Sequence, residues 1–490
     1  MTFEVGISKI DIILAIICIV WKKCVILNHE TYIMIQTMHS VLKTMPLVAA
    51  FLLTGLSSPA QTVKPTMTKE DSAAYNQRME WFGNAKLGIF IHWGIYAVRG
   101  VSESWSFYNE YLPYDEYMSQ LKGFTASKYD PKAWAELIKE SGARYTVITT
   151  KHHDGVALWD TKAGSLSMKK CTPAKRDLIT PFVNAVRDQG LKVGLYYSLL
   201  DWSNENYPNK TKTQHRYTND PARWNKFVKF NLAQLSELSN TFNPDLFWFD
   251  GDWEQTAEAW HAPEIVSMLR AKNPNVILNS RIQGYGDYAT PEQGIPVVRP
   301  KSKYWELCQT INDSWGYQPT DTNFKSAYQV LRTFCDCLGN GGNMLLDIGP
   351  RADGTIPQPE VDVLKELGRW TKKHAEAVYG TRAGIPSYCF QGYTTLNKEG
   401  NILYLYIPYR PHGVVEVKGL INNVNRVWVV GNGTMLNYKL FNKAYWSATP
   451  GNLYIDVPDS VLDPQITVLA VLLDGPVKIS NGEGQVITAN

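Results

Sequence analysis

Several apolar runs in this chain of 490 residues end in side chains equipped for chemistry. "GIFIHWG" (88–94) ends on His92, and "YTVITTKHHDG" (145–155) ends on Lys151, His152, His153 and Asp154. "KVGLYYSLLDW" (192–202) carries Tyr197 and Asp201, while "DLFWFDGDW" (245–253) carries Trp248, Asp250 and Asp252. Arg281 closes "NVILNSR", Glu292 follows in "GDYATPEQ", and Glu306 sits in "YWELCQT". The set mixes carboxylates, imidazoles, rings and one arginine, with no serine or cysteine nucleophile elbow. Two carboxyls, polar groups for hydroxyls and rings for an apolar sugar face are what cleavage of a glycosidic bond requires.

Two other readings compete. A metal-dependent barrel hydrolase would use the His/Asp cluster. Adjacent strand residues point to opposite faces, so His152 and His153 chelate poorly unless the backbone bends there. Neither an H-x-H strand end nor an H-E-x-x-H helix is present. The other reading is a carbohydrate-binding barrel without catalysis, against which the intact polar strand ends argue. No metal or other cofactor is expected.

The elements that must hold these groups are legible as an alternation. Seven near-continuous apolar runs have the texture of strands buried on both faces: the five above, "LGIFIHWG" being the first, then "YWELCQT" and "NMLLDIGP". Between them "DPKAWAELIKESG", "LITPFVNAVRDQG", "RWNKFVKFNLAQLSELSNTF" and "PEIVSMLRAKNP" have apolar residues at helical spacing, several closed by Gly or Pro. This predicts a (β/α)8-like barrel over 70–382. No Gly-rich phosphate loop opens any helix. After a helix ending near Gly380 the texture becomes short runs separated by turn residues. That predicts a C-terminal antiparallel β-sandwich over 385–490.

Composition sets the limits. The 16 Trp and 27 Tyr suit stacking on sugars, or a large aromatic core. A net charge of +3 gives no field that would favour nucleic acid or an anionic membrane. Residues 38–60 read as a signal peptide, with "MPLVAAFLLTGL" as its apolar stretch and cleavage after Ala60; 1–37 read as a misassigned extension before Met38 or Met45. The alternative is an N-terminal anchor. Export to a periplasmic or secreted location is expected, or to a lysosome-like compartment in a eukaryote, with no membrane attachment after cleavage. Five cysteines lie beyond the leader, irregularly spaced, and read as mostly buried free thiols.

Taken together, "WFGNAKLGIFIHWGIYAV", "KHHDGVALWDT", "VGLYYSLLDW", "LFWFDGDW", "GDYATPEQ", "KYWELCQTINDSWGY" and "GGNMLLDIGPRADGTIP" closely resemble the α-L-fucosidases of glycoside hydrolase family 29. The resemblance runs from about 75 to 380. It implies a retaining exo-α-L-fucosidase acting on fucosylated glycans or oligosaccharides. The family's nucleophile matches Asp250, with Trp248 two positions earlier on the same face and Asp252 as the rival. Glu292 matches the general acid/base, and Glu306, placed at another strand mouth, is the runner-up. His92, His152, His153, Tyr197 and Arg281 match sugar contacts, with Tyr196 the alternative to Tyr197. Trp315 matches an aromatic that meets the C5 methyl, or else is ordinary core. Many members have "EWY" where this chain has "SESWSFY": Trp105 fills the aromatic place, and Glu103 is displaced by one residue. "LLDIGPRADGTIP" is a family marker read as structural only.

Overall fold

A computed structural model describes residues 69–443, 445–446 and 449–480. The expected extension (1–37) and signal peptide (38–60) lie outside the described residues. Seven parallel strands form one sheet: β1 (Leu87–Ile91), β2 (Tyr145–Lys151), β3 (Lys192–Ser198), β4 (Leu246–Asp250), β5 (Ile277–Leu278), β6 (Glu306–Thr310) and β7 (Asn343–Ile348). Their spatial order is β5-β4-β3-β2-β1-β7-β6. Each of the seven apolar runs contains one of them.

The free edges of β5 and β6 are joined by an irregular stave, residues 288–292. Parallel bridges pair Asn279 with Tyr288, Ala289 with Trp305 and Glu292 with Cys308. The Glu306 N–H donates to the Ala289 carbonyl at 2.9 Å, and Cys308 N–H to that of Pro291 at 3.1 Å. Linking the edges satisfies backbone groups that an open sheet would leave unpaired. This stave has no apolar run to mark it in the sequence.

Around the sheet lie α1 (Lys69–Ala85), α2 (Pro131–Glu140), α3 (Ile179–Asp188), α4 (Pro221–Phe242), α5 (Ala262–Lys272), α6 (Ala327–Gly339) and α7 (Gln358–Lys373). The Asp-Pro pairs at 130–131 and 220–221 start α2 and α4. Each Asp side chain accepts backbone N–H bonds from the first turn, and each Pro supplies a pre-set φ where no N–H is needed.

Strand alternation sorts side chains into two layers. Leu87, Ile89, Ile91, Leu195, Tyr197, Phe247 and Phe249 pack outward with the helices. Phe90, Tyr145, Val147, Tyr196, Trp248, Cys308 and Leu345 fill the interior, with Met79 and Phe82 of α1. A Cβ at Gly88 would lie 2.4 Å from the Tyr145 ring, so glycine there gives that ring its room.

The C-terminal part pairs a five-stranded sheet, β12-β15-β10-β9-β8, with a three-stranded one, β11-β14-β13. Here β8 to β15 are Arg382–Ala383, Tyr393–Leu396, Ile402–Ile407, Gly413–Val417, Val424–Val429, Tyr438–Phe441, Asn452–Val457 and Thr467–Leu473. On β10, Leu403, Leu405 and Ile407 face the sandwich core, whereas Tyr404 and Tyr406 join the barrel's outer layer. Trp370 of α7 donates its indole N–H to the Ile466 carbonyl at 2.8 Å across that junction. The architecture is the barrel plus antiparallel sandwich that the sequence predicts.

Candidate active site

The inner face of β4 presents Trp248 and then Asp250 at the C-terminal mouth. Arg281 Nη1 donates to Asp250 Oδ1 at 2.9 Å, and Tyr196 Oη donates to Oδ2 at 2.9 Å. The same guanidinium reaches Glu292 through Nη2. It lies over the Trp248 ring, 4.6 Å from the centroid. One arginine therefore bridges two carboxyls that enter from different staves. Asp250 is nearly buried, whereas the Glu292 side chain is 40% exposed.

Three histidines line the adjacent wall, each anchored through Nδ1. His92 pairs with Asp347 Oδ1, His152 with Ser104 Oγ and His153 with Ser198 Oγ, all at 2.6 Å. Burial lowers the pKa of all three, that of His153 to about 3, so the rings are neutral near pH 7. Ser198 donates its one proton to the Leu200 carbonyl, so His153 must donate Nδ1–H to the serine. Its Nε2 is then a bare acceptor. That atom is buried, makes no hydrogen bond and lies 3.6 Å from Asp250 Oδ2. A ligand hydroxyl would satisfy it.

Both neighbours turn to the mouth because β2 ends at Lys151, after a register irregularity between Thr149 and Lys151. The His152 and His153 rings are 4.2 Å apart. Even so, among the described residues no three His, Cys, Asp or Glu groups converge as a metal ion would require. Trp315 packs 5.0 Å from His92, and Trp105 lies 5.4 Å from His153. Asp250, Glu292, His92, His152, His153, Trp105, Trp248, Arg281 and Trp315 thus meet at one mouth.

Other candidates lie elsewhere. Tyr197 faces the helical layer, where its hydroxyl is 2.8 Å from Asn231 Oδ1 and 2.9 Å from Gln234 Oε1, both on α4. Tyr196 takes the inward place, because only one of two consecutive strand residues can. Glu306 is the first residue of β6, so it sits at the floor of the barrel and not at its mouth. It accepts from Tyr145 Oη and from Trp248 Nε1, the latter at 3.1 Å. Burial pushes its carboxyl up to about 7. Asp252, the rival nucleophile, accepts the Gln283 backbone N–H at 2.6 Å and is pinned in its loop.

Lys151, Asp154 and Asp201 form a buried brace beside α4. Lys151 Nζ donates to Tyr197 Oη at 3.0 Å and lies 3.7 Å from Asp201, and Tyr117 donates to Asp154 at 2.6 Å. Glu103 is buried, and among the described residues it makes no hydrogen bond to the three histidines. Its carboxylate accepts the Gly316 N–H at 2.6 Å, next to Trp315. Ser104 occupies the position beside Trp105 and meets His152 instead.

Sequence reading passed over Ser104, Ser198 and Asp347. Asp347 could have been found by counting: it is two residues beyond the inward Leu345 on β7. The two serines give no such signal, since only the fold brings them under the imidazoles.

A parallel barrel whose strand ends gather two carboxyls, an arginine, neutral imidazoles and indole rings defines a glycoside hydrolase. A model of the alpha-L-fucosidase family matches residues 53–376. The alpha-L-fucosidase of Dictyostelium discoideum is 30% identical over 376 residues, 70% of this chain and 81% of that protein. Alpha-L-fucosidase isoenzyme 1 from Paenibacillus thiaminolyticus is 35% identical, with a TM-score of 0.75 over 82% of this chain and 100% of that one. An α-L-fucosidase from Bacteroides thetaiotaomicron, solved as a trapped covalent intermediate with 2-fluoro-fucosyl fluoride, is 27% identical. Its TM-score is 0.70 over 81% of this chain and 96% of that one. The chain belongs to glycoside hydrolase family 29, the α-L-fucosidases.

Proposed function

We propose that the protein is a retaining exo-α-L-fucosidase that releases terminal α-L-fucose from glycans or oligosaccharides through a covalent fucosyl-enzyme. The observation that carries this reading is Arg281 spanning Asp250 and Glu292. A shared guanidinium holds both carboxyls in one pocket, as double displacement requires, and that mechanism takes a separation of about 5–5.5 Å where inverting enzymes leave a wider gap for a water.

Asp250 attacks C1 from the inner wall while Tyr196 and Arg281 fix its oxygens. Glu292, on the exposed side, protonates the departing oxygen and then takes a proton from the incoming water. Productive binding requires that Glu292 leave Arg281, because an acid tied to a guanidinium cannot hand its proton to the substrate. The bare Nε2 of His153 accepts from a sugar hydroxyl, and His92 and His152 meet others. Trp315 covers the C5 methyl, and Trp105 and Trp248 supply apolar walls.

Asp250→Gly should lower kcat on the order of a thousandfold or more, with partial rescue by azide. Reaction of the wild type with 2-fluoro-fucosyl fluoride should add one fluorofucosyl group to the peptide holding Asp250. Label on another carboxylate would sink the assignment.

The exported location rests on residues 38–60 acting as a signal peptide. No helix among the described residues is long and apolar enough to cross a membrane. N-terminal sequencing of the mature protein should begin at Gln61; a retained leader would overturn this reading.

A further inference from the structure

Trp253 stands three residues beyond Asp250 and belongs to none of the groups that hold the fucose in the reading above. It is 51% exposed, an unusual cost for the largest apolar side chain. The turn that carries it, Asp252–Glu254, is nonetheless fastened on both sides. On one side the Asp252 carboxylate accepts from Gln283 N–H, and its carbonyl accepts the Trp260 indole N–H at 2.8 Å. On the other, Glu254 accepts from Tyr207 Oη at 2.6 Å and Asn209 Nδ2 at 2.7 Å, with the Trp202 indole at 3.3 Å.

The ring itself lies nearly parallel to Trp105, with centroids 6.1 Å apart and planes at 15°, and is 6.1 Å from His153. An exposed indole that is rigidly presented, continuous with the catalytic wall and left without a covering partner is a platform for a flat apolar face.

We propose that Trp253, backed by Trp105, forms an acceptor subsite that stacks the pyranose to which fucose is attached. The occupant is a sugar ring presenting an axial C–H face, which matches an indole in size and polarity. Its binding energy is realised at the reacting centre, because a correctly seated leaving group brings the glycosidic oxygen to Glu292. The inference rests on the fucosidase reading and deepens it: the enzyme recognises a fucosylated oligosaccharide beyond its terminal sugar.

The test compares two substrates that share the fucosyl group. One is a fucosylated trisaccharide; the other is α-L-fucosyl fluoride, whose leaving group has no ring to stack. Trp253→Ala should lower kcat/KM on the trisaccharide by about tenfold to a hundredfold more than on the fluoride. Trp253→Phe should recover most of that loss, and both variants should melt near the wild-type temperature.

Equal losses on the two substrates would put Trp253 in the fucose pocket and overturn the proposal. Undiminished trisaccharide turnover would overturn it as well. Failure of the wild type on both substrates would instead refute the fucosidase reading itself.

Discussion

The barrel interior holds two polar clusters, one at the floor and one at the mouth, and they are built on opposite principles. At the floor, Glu306 is sealed and saturated by Tyr145, Trp248 and the more distant Tyr288. At the mouth, Asp250 and Glu292 share one arginine, Glu292 is open to solvent, and His153 Nε2 has no hydrogen bond. A saturated carboxyl has nothing left to offer a ligand. An incompletely satisfied set does, and it pays in stability for the competence it keeps.

The sharpest way to break this contrast is at Glu292. Glu292→Ala should reduce kcat/KM on substrates with poor leaving groups by about 10²–10⁴, and far less on fucosyl fluoride, which needs no proton. Equal losses would mean that Glu292 only shapes the pocket.

Next in size is the neighbouring tyrosine pair. Tyr196→Phe removes a bond to Asp250 and should cost on the order of tenfold to a hundredfold in kcat. Tyr197→Phe should leave kinetics intact and instead lower stability by about 1–3 kcal/mol, since Lys151 and the amides of α4 lose a partner. Reversed outcomes would invert the strand phase.

Little kinetic effect is expected at the floor either. The folded-state pKa of Glu306, about 7, lies above its ordinary 4.5. The stability it contributes is complete below about pH 4.5 and is lost as pH rises through about 7. Melting curves of wild type and Glu306→Gln should therefore diverge against the wild type across that window, with turnover nearly equal. A collapse in kcat for this variant would return Glu306 to the chemistry.

The strand ends were legible because parallel strands buried on both faces read as unbroken apolar runs, and a polar terminus then stands out. Phase was not legible at "YY", where two identical side chains face opposite layers. Position along the strand misled at Glu306: "SKYWELCQT" carries no signal for where pairing starts, so a residue at the first rung resembled one at the last. The 288–292 stave escaped because it pairs through isolated bridges, and its apolar Tyr288 and Ala289 are too few to read as a strand-length run. The sandwich was simpler, since turn residues punctuate its strands.

That stave carries a consequence for how such an enzyme can diversify. Asp250 rides on a strand laddered on both sides with a helix on either flank of the chain. Glu292 rides on a segment with no helix before or after it, tethered by loops to β5 and β6. Loop length can drift there without disturbing the anchorage of Asp250 on β4. On the mechanism proposed above, a change in that tether would re-aim Glu292 toward a different glycosidic oxygen while Asp250 keeps its place beneath the fucose.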